Sequence, residues 1–303
     1  MSGNVPPDPA GTIPAQDVDV TDALVHALLA DQHTDLAGRR LARAANGWDN
    51  IVYRLGDDLA VRLPRRASAH QLLLNELRWL PFLAPRLPLP IPAAIRRGRP
   101  GSGYPYHWAV VPWFEGESAA RRSARDRDGY AASLGRFLRL LHVPAPADAP
   151  HNRVRGIALA TRGEAFAERL HATAPPLEGP WREIFEAGAR ARLHRGPRVW
   201  LHGDPHPHNL VVAPGAGPAQ LVAVADFGDL TAGDPASDLA AAWLHFTAAG
   251  RQVFRAELRY DDDTWLRARG WAVHYGLLMA SMPPEDPLHP VGIHALGELA
   301  AEA

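Results

Sequence analysis

The sequence predicts an α+β protein of two lobes: a small antiparallel sheet with one long helix, then a larger, mainly helical part. Three observations predict it. Short β-prone pieces flank turn residues between Leu41 and Leu63, and a helix with a regular apolar stripe follows them. Beyond a composition shift at Pro112–Gly116 the chain becomes rich in Ala and Leu at helical spacing.

The elements follow in order. Met1 to Gln16 is rich in Pro and Gly, with neither a basic start nor an apolar stretch, so 1–17 is expected to be a disordered tail and not a secretory signal. Residues 18–113 form the first lobe. Thr21 is placed to cap a helix carrying Leu24, Val25, Leu28 and Leu29. Ile51-Val52-Tyr53 and Leu59-Ala60-Val61 bracket Gly56-Asp57-Asp58, which predicts a hairpin. A helix follows with Leu73, Leu77 and Leu80 in one stripe and Glu76 beside it. The prolines between Pro85 and Pro92 then force an extended connection. Strands are expected near Ala93–Ile95 and His107–Val111, with Gly101-Ser102-Gly103 turning between them.

Residues 114–303 form the second lobe. Asp128 is placed to cap a helix burying Tyr130, Leu134, Phe137, Leu138 and Leu141, and a Pro-interrupted helical stretch runs from His142 to Arg195. Two short strands, Asn209–Ala213 and Leu221–Ala225, are joined by a Gly/Pro turn, and helices fill the rest.

Composition removes several kinds of chemistry. Among 303 residues there is no Cys, hence no disulfide, thiolate metal site or Cys nucleophile. There is no Lys either, because all 32 basic residues are Arg, a pattern that codon bias produces. A Walker A loop and a pyridoxal Schiff base both require Lys, so both are excluded. A net charge of −1 gives no reason to expect nucleic acid or an acidic membrane as partner. No apolar run approaches the ~20 residues that span a bilayer. A cytoplasmic protein, monomer or homodimer, is expected.

One stretch is dense in polar groups between apolar runs: Leu201-His202-Gly203-Asp204-Pro205-His206-Pro207-His208-Asn209. Downstream, Asp226-Phe227-Gly228 closes the run Leu221–Ala225. Two carboxylates and an amide at strand ends suit phosphoryl transfer, in which one carboxylate takes the hydroxyl proton while the other groups hold Mg²⁺. Asn209 follows Asp204 by the same interval as in the kinase catalytic loop H-R-D-x-x-x-x-N, and a literal D-F-G comes after it. Drawn as a zinc site, His202, His206 and His208 fail, because Pro205 and Pro207 keep them off a single helix turn.

These residues resemble the aminoglycoside phosphotransferase and choline kinase group, which shares the protein-kinase fold. The likeness runs on through Gly233-Asp234-Pro235-Ala236-Ser237-Asp238-Leu239 and back through Asn46-Gly47-Trp48-Asp49-Asn50 to Val61-Arg62-Leu63-Pro64. The resemblance implies a bilobal protein-kinase-like fold with Asp204 as general base, Asn209 and Asp226 as metal ligands, and Asp238 as a buried brace. It implies that Gly47 and Asn50 cover the phosphates of ATP or GTP and that Arg62, braced by Glu76, binds them. It implies too that Trp113 belongs to the hinge segment that meets the base. The family pattern has Lys where this chain has Arg62; Arg keeps the charge but not the shape.

Gly228 is followed almost at once by Gly233-Asp234-Pro235, which leaves no activation segment for a peptide. A small hydroxylated molecule is therefore the expected acceptor: an antibiotic of aminoglycoside, macrolide or nucleoside type, inactivated by phosphorylation. A metabolite kinase for choline, homoserine or a sugar and a non-catalytic nucleotide-binding pseudokinase are the alternatives. For a polycation the sequence offers Asp229, Asp261-Asp262-Asp263 and Glu285-Asp286, the aspartate run reading first as a helix cap. For an apolar acceptor it offers Trp271, Tyr275 and Met279 on one helical face, which reads first as core.

Overall fold

The computed structural model describes residues 15–172 and 179–302, so most of the expected N-terminal tail lies outside the described residues. The first lobe begins with α1 (Asp22–Gln32), capped as expected by Thr21, whose Oγ1 accepts the Leu24 N–H at 3.2 Å. Next come β1 (Leu41–Asn46), β2 (Asn50–Leu55), β3 (Leu59–Pro64), α2 (Ala67–Leu83), β4 (Arg96–Gly98) and β5 (Trp108–Pro112). The strands form one antiparallel sheet in the order β1-β2-β3-β5-β4.

Strand alternation divides the sheet's two faces. Ile51, Tyr53, Leu55, Leu59, Val61 and Leu63 pack with Val25, Leu28 and Leu29 of α1. Ala60, Ala109 and Val111 pack with Leu73 and Leu77 of α2 on the other side. Arg62 shares that second face, and Glu76 shares the helical stripe of Leu73, Leu77 and Leu80, so the two side chains meet between sheet and helix.

Two expectations fail in this lobe. The strand expected at Ala93–Ile95 begins at Arg96, because Ala93 N–H turns back to the Ile91 carbonyl (2.7 Å). The first ladder bond is Ile95 N–H to Val110 O, 2.8 Å. Asp17, expected in the loose tail, is docked: its N–H bonds Arg65 O at 2.9 Å. Its carboxylate accepts Ala67 N–H and the Tyr106 hydroxyl, each at 2.8 Å, so it serves the otherwise uncapped start of α2.

The second lobe contains β6 (Glu117–Ser118), α3 (Ala124–Arg127), α4 (Ala131–Leu141), α5 (Gly163–Ala172), α6 (Trp181–Arg190) and β7 (Val199–Leu201). It continues with β8 (Leu210–Val212), β9 (Leu221–Val224), β10 (Thr231–Gly233), α7 (Ala236–Leu239), α8 (Ala241–His245), α9 (Ala248–Ala256), α10 (Asp262–Ala280) and α11 (His289–Ala300). Strands β6, β8 and β9 form one small antiparallel sheet and β7 with β10 another. Together these short strands present the polar loops between them to the first lobe.

Helix α10 is the spine of this lobe, packed on α6, α7 and α11. A Cβ at Gly292 would fall 2.3 Å from the Ala280 backbone nitrogen, so only Gly lets α11 approach α10 this closely. Asp128 does not cap α4. A 3₁₀ turn over Asp128–Tyr130 precedes that helix, and the Asp128 carboxylate instead accepts the Thr247 N–H (3.0 Å) and hydroxyl (2.5 Å) at the start of α9. The stretch expected to be helical from His142 to Arg195 is helical only in part. Residues 142–158, with Pro144, Pro146 and Pro150, form a non-helical strap across β7 and β10. Among the described residues no helix is long and apolar enough to cross a membrane.

Candidate active site

A cleft of about 450 Å³ separates the lobes. Gly47, Asn50, Arg62 and Trp113 line it from the first lobe, and Asp204, Asn209 and Asp226 from the second. These seven residues, each singled out in the sequence, thus reach one cavity. Glu76 lies behind its wall and holds Arg62.

The loop after β7 is fixed by buried hydrogen bonds. Asp238, fully buried, accepts the backbone N–H groups of His202 (2.8 Å) and Gly203 (3.0 Å), and His142 Nε2 donates to it at 3.2 Å. His202 Nδ1 accepts the Asp204 N–H (3.2 Å), so its Nε2 donates to Ala225 O at 2.9 Å. That bond ties the loop to the residue just before Asp226. Gly203 has φ +89°, and a Cβ there would fall 2.2 Å from Asp229 O.

Asp204 stands at the head of this loop, its side chain 28% exposed. Its Oδ2 faces His206 Nε2 at 3.3 Å and its Oδ1 faces Arg155 Nη2 at 3.4 Å. Burial works against its charge, but His206, Arg155 and His202 outweigh burial and hold the carboxyl well below the usual range. Burial likewise opposes charge on His206, and Asp204 reverses that, raising its pKa.

Asn209 donates from Nδ2 to Asp204 O at 2.9 Å, which leaves its Oδ1 as the arm for a cation. Asp226 has φ +54°, unusual for a residue with a side chain, and its Oδ1 accepts the Gly228 N–H at 3.2 Å. Ala225 N–H bonds Asn209 O at 2.8 Å, so the amide and the carboxylate come from neighbouring strand ends. One carboxylate and one amide oxygen, both hard donors, fit Mg²⁺, which takes few protein oxygens and completes its shell with water and phosphate.

Across the cleft Arg62 grips Glu76 with both arms, Nη1 to Oε2 at 2.5 Å and Nη2 to Oε1 at 3.1 Å. The Gly47 hairpin closes through its N–H to Asn50 O (2.9 Å). It is tethered by Arg65 Nη1 to Gly47 O (3.0 Å) and by Arg66 Nη2 to Asp49 Oδ1 (2.7 Å). The Trp113 backbone N–H is already engaged with Asp58 O at 2.8 Å. Its ring lines the cleft beneath the Arg54 guanidinium.

The acceptor candidates separate. Asp229 reaches the cleft, and burial together with Asp204 and Asp226 pushes its pKa up, against the pull of Arg155. Asp261 caps α10 through the Thr264 N–H (2.9 Å) and, with Asp263, pairs with Arg192. Asp286 accepts the Leu288 N–H at 2.9 Å. Trp271, Tyr275 and Met279 are core residues and do not line the cleft.

The sequence reading missed Arg155, Asn152 and the Pro287–Leu288 wall. No periodic pattern marks the first two, which lie in the Pro-broken strap. His208 Nε2 holds the wall through Pro287 O at 2.8 Å, a contact across distant segments.

A family model described as the phosphotransferase enzyme family matches residues 40–271. The GDP complex of wild-type aminoglycoside 2′-phosphotransferase-IIIa superposes with a TM-score of 0.66 at 18% identity, covering 93% of this chain and 99% of that one. The macrolide 2′-phosphotransferase MphH from Brachybacterium faecium gives 0.59 at 21% identity, covering 90% and 97%. The streptomycin–ATP complex of APH(2″)-IIa gives 0.59 at 17%, covering 89% and 93%. Likeness at these identities is likeness of fold. No curated protein matches the chain.

Proposed function

Because the chain belongs to the phosphotransferase enzyme family, we propose that it transfers the γ-phosphate of ATP or GTP to a hydroxyl of a small antibiotic in the cytoplasm. One observation carries this reading: Asp204, Asn209 and Asp226 converge on a single cleft opposite the Arg62–Glu76 pair. A scaffold that only bound a nucleotide would not need all three second-lobe groups.

Asp204 takes the proton of the acceptor hydroxyl as its oxygen bonds to the γ-phosphorus and the bond to the β-phosphate oxygen breaks. Its depressed pKa keeps it ionised, so that it can accept a hydrogen bond from the acceptor hydroxyl and orient it. Asn209 and Asp226 would hold Mg²⁺, which when bound would neutralise charge on the phosphates. Arg62, aimed by Glu76, meets the phosphates from above, and the Gly47–Asn50 hairpin covers them. Val52, Ala60 and Val111 give the base an apolar slot beside Trp113.

On the acceptor side, aminoglycoside and macrolide enzymes share this fold. Of the acidic residues offered for an acceptor cation only Asp229 lines the cleft, and it already faces Arg155 at 3.6 Å and accepts from Asn152. This favours an acceptor with few positive charges, such as a macrolide, over a polycation. The test is magnesium-dependent release of ADP or GDP with aminoglycosides, macrolides, nucleoside antibiotics, choline and homoserine, with Asp204→Ala as control. Release that needs an antibiotic and vanishes in the control is expected. A wild-type protein that binds no nucleotide, or release indifferent to Asp204→Ala, would overturn the reading.

A further inference from the structure

Arg155 stands beside the base without belonging to any motif the sequence displays. Its Nη2 lies 3.4 Å from Asp204 Oδ1 and its Nε 3.6 Å from Asp229 Oδ2, with the guanidinium carbon 4.7 Å over the Tyr275 ring. One planar group therefore touches two carboxylates and an aromatic face at once, which leaves its plane little freedom.

The backbone that carries it is held as firmly. Asn152 N–H donates to Thr231 Oγ1 (2.9 Å) and Asn152 Nδ2 to Asp229 Oδ1 (2.8 Å). Thr231 donates its hydroxyl to Pro150 O at 3.0 Å. Gly156 N–H bonds Ser237 Oγ (3.1 Å), and Gly156 O accepts the Asp234 N–H at 2.8 Å. Gly156 has φ +65°, and a Cβ there would fall 2.5 Å from Leu201 Cδ1, at the end of the strand that leads into Asp204. The strap is thus fastened to the segments before and after the base, with Arg155 at the centre of the fastening.

The consequence falls on the rotation of the Asp204 carboxylate. His206 engages Oδ2 from inside the loop and Arg155 engages Oδ1 from the strap. With one contact the carboxylate could swing about its side-chain bonds; with two opposed contacts it is held in one plane. Transfer depends on such placement, because a base misplaced by about 1 Å can cost about 100-fold in rate.

We propose that Arg155 is a positioning residue for the transfer: anchored by Asp229 and Tyr275, it fixes the Asp204 carboxylate toward the acceptor hydroxyl. This rests on the function proposed above, with Asp204 as base.

The experiment compares wild type, Arg155→Met and Arg155→Lys for kcat, acceptor KM, Kd for Mg-ADP and Mg-GDP, and melting temperature. The acceptor is whichever panel member supports turnover, or water where none does. Arg155→Met is expected to lower kcat about 10- to 100-fold while nucleotide Kd stays within about twofold. Arg155→Lys, which restores a cation near Oδ1, is expected to recover most of the lost kcat. A folded Arg155→Met with wild-type kcat overturns the inference alone. So does a loss confined to acceptor KM, and so does a loss that Lys fails to rescue. A wild-type protein that releases no nucleoside diphosphate to any acceptor or to water overturns the proposed function, and this inference with it.

Discussion

Arg62 and Glu76 form a two-armed ion pair between β3 and α2, with contacts of 2.5 and 3.1 Å and both side chains less than a tenth exposed. Each charge is desolvated, so each depends on the other. Glu76→Ala is expected to cost about 3–5 kcal/mol of stability, because it leaves a buried guanidinium unpaired. Denaturant unfolding measures it, and a loss below about 1 kcal/mol would show that water reaches Arg62 once Glu76 is gone. Nucleotide affinity should fall in the same variant, since Arg62 would lose its aim.

Asp226 and Asp204 are expected to fail differently. Asp226→Ala should weaken nucleotide binding in magnesium while leaving magnesium-free binding nearly unchanged. Asp204→Ala should leave both unchanged and remove most turnover, a positioned base typically contributing about 10²–10⁴ in rate. Calorimetry with and without magnesium separates them; equal effects of the two changes on binding would contradict the division of roles.

Gly203→Ala should dislodge the loop that carries Asp204. The left-handed φ of +89° is unfavourable to a side chain, and the new Cβ would collide with Asp229 O. The strain is on the order of 1–3 kcal/mol before the clash is counted. Turnover should be lost, with a lower melting temperature; wild-type activity in this variant would contradict the loop geometry.

Acid should destabilise the fold through histidines buried in the neutral form. Burial is the main cause in each: His245 lies well below its usual value, His294 is lowered to about 4 and His274 to about 3. His245 is locked neutral by donating from Nε2 to Pro205 O (2.8 Å) and accepting the Tyr130 hydroxyl at Nδ1 (2.7 Å). The unfolded chain binds protons at these sites near pH 6.5 and the folded chain does not. Their stabilisation is therefore full above about pH 6.5 and is lost as pH falls from there toward 4. Melting temperatures from pH 7.5 to 4.5 should fall steadily, less steeply in His274→Gln. A flat profile would contradict the burial of these rings as neutral groups.

The sequence by itself determined the two-lobed α+β plan and the stations of the site. Strand alternation in β2 and β3 assigns each side chain to a face because the pleat repeats every second residue. The stripe of Leu73, Leu77 and Leu80 places Glu76 on the buried face of α2 because the helix repeats every 3.6. His202-Gly203-Asp204, Asn209 and Asp226-Phe227-Gly228 stood out because polar groups ended apolar runs, and all three groups reach the cleft. Only the tertiary structure decided the partners. Asp128, a cap by local pattern, holds Thr247 instead, and Asp17, part of an expected tail, serves α2. Arg155 meets Asp204 across 49 positions and Asp238 meets His202 across 36. Such contacts depend on how separate segments pack, and local periodicity carries no record of which segment lies opposite.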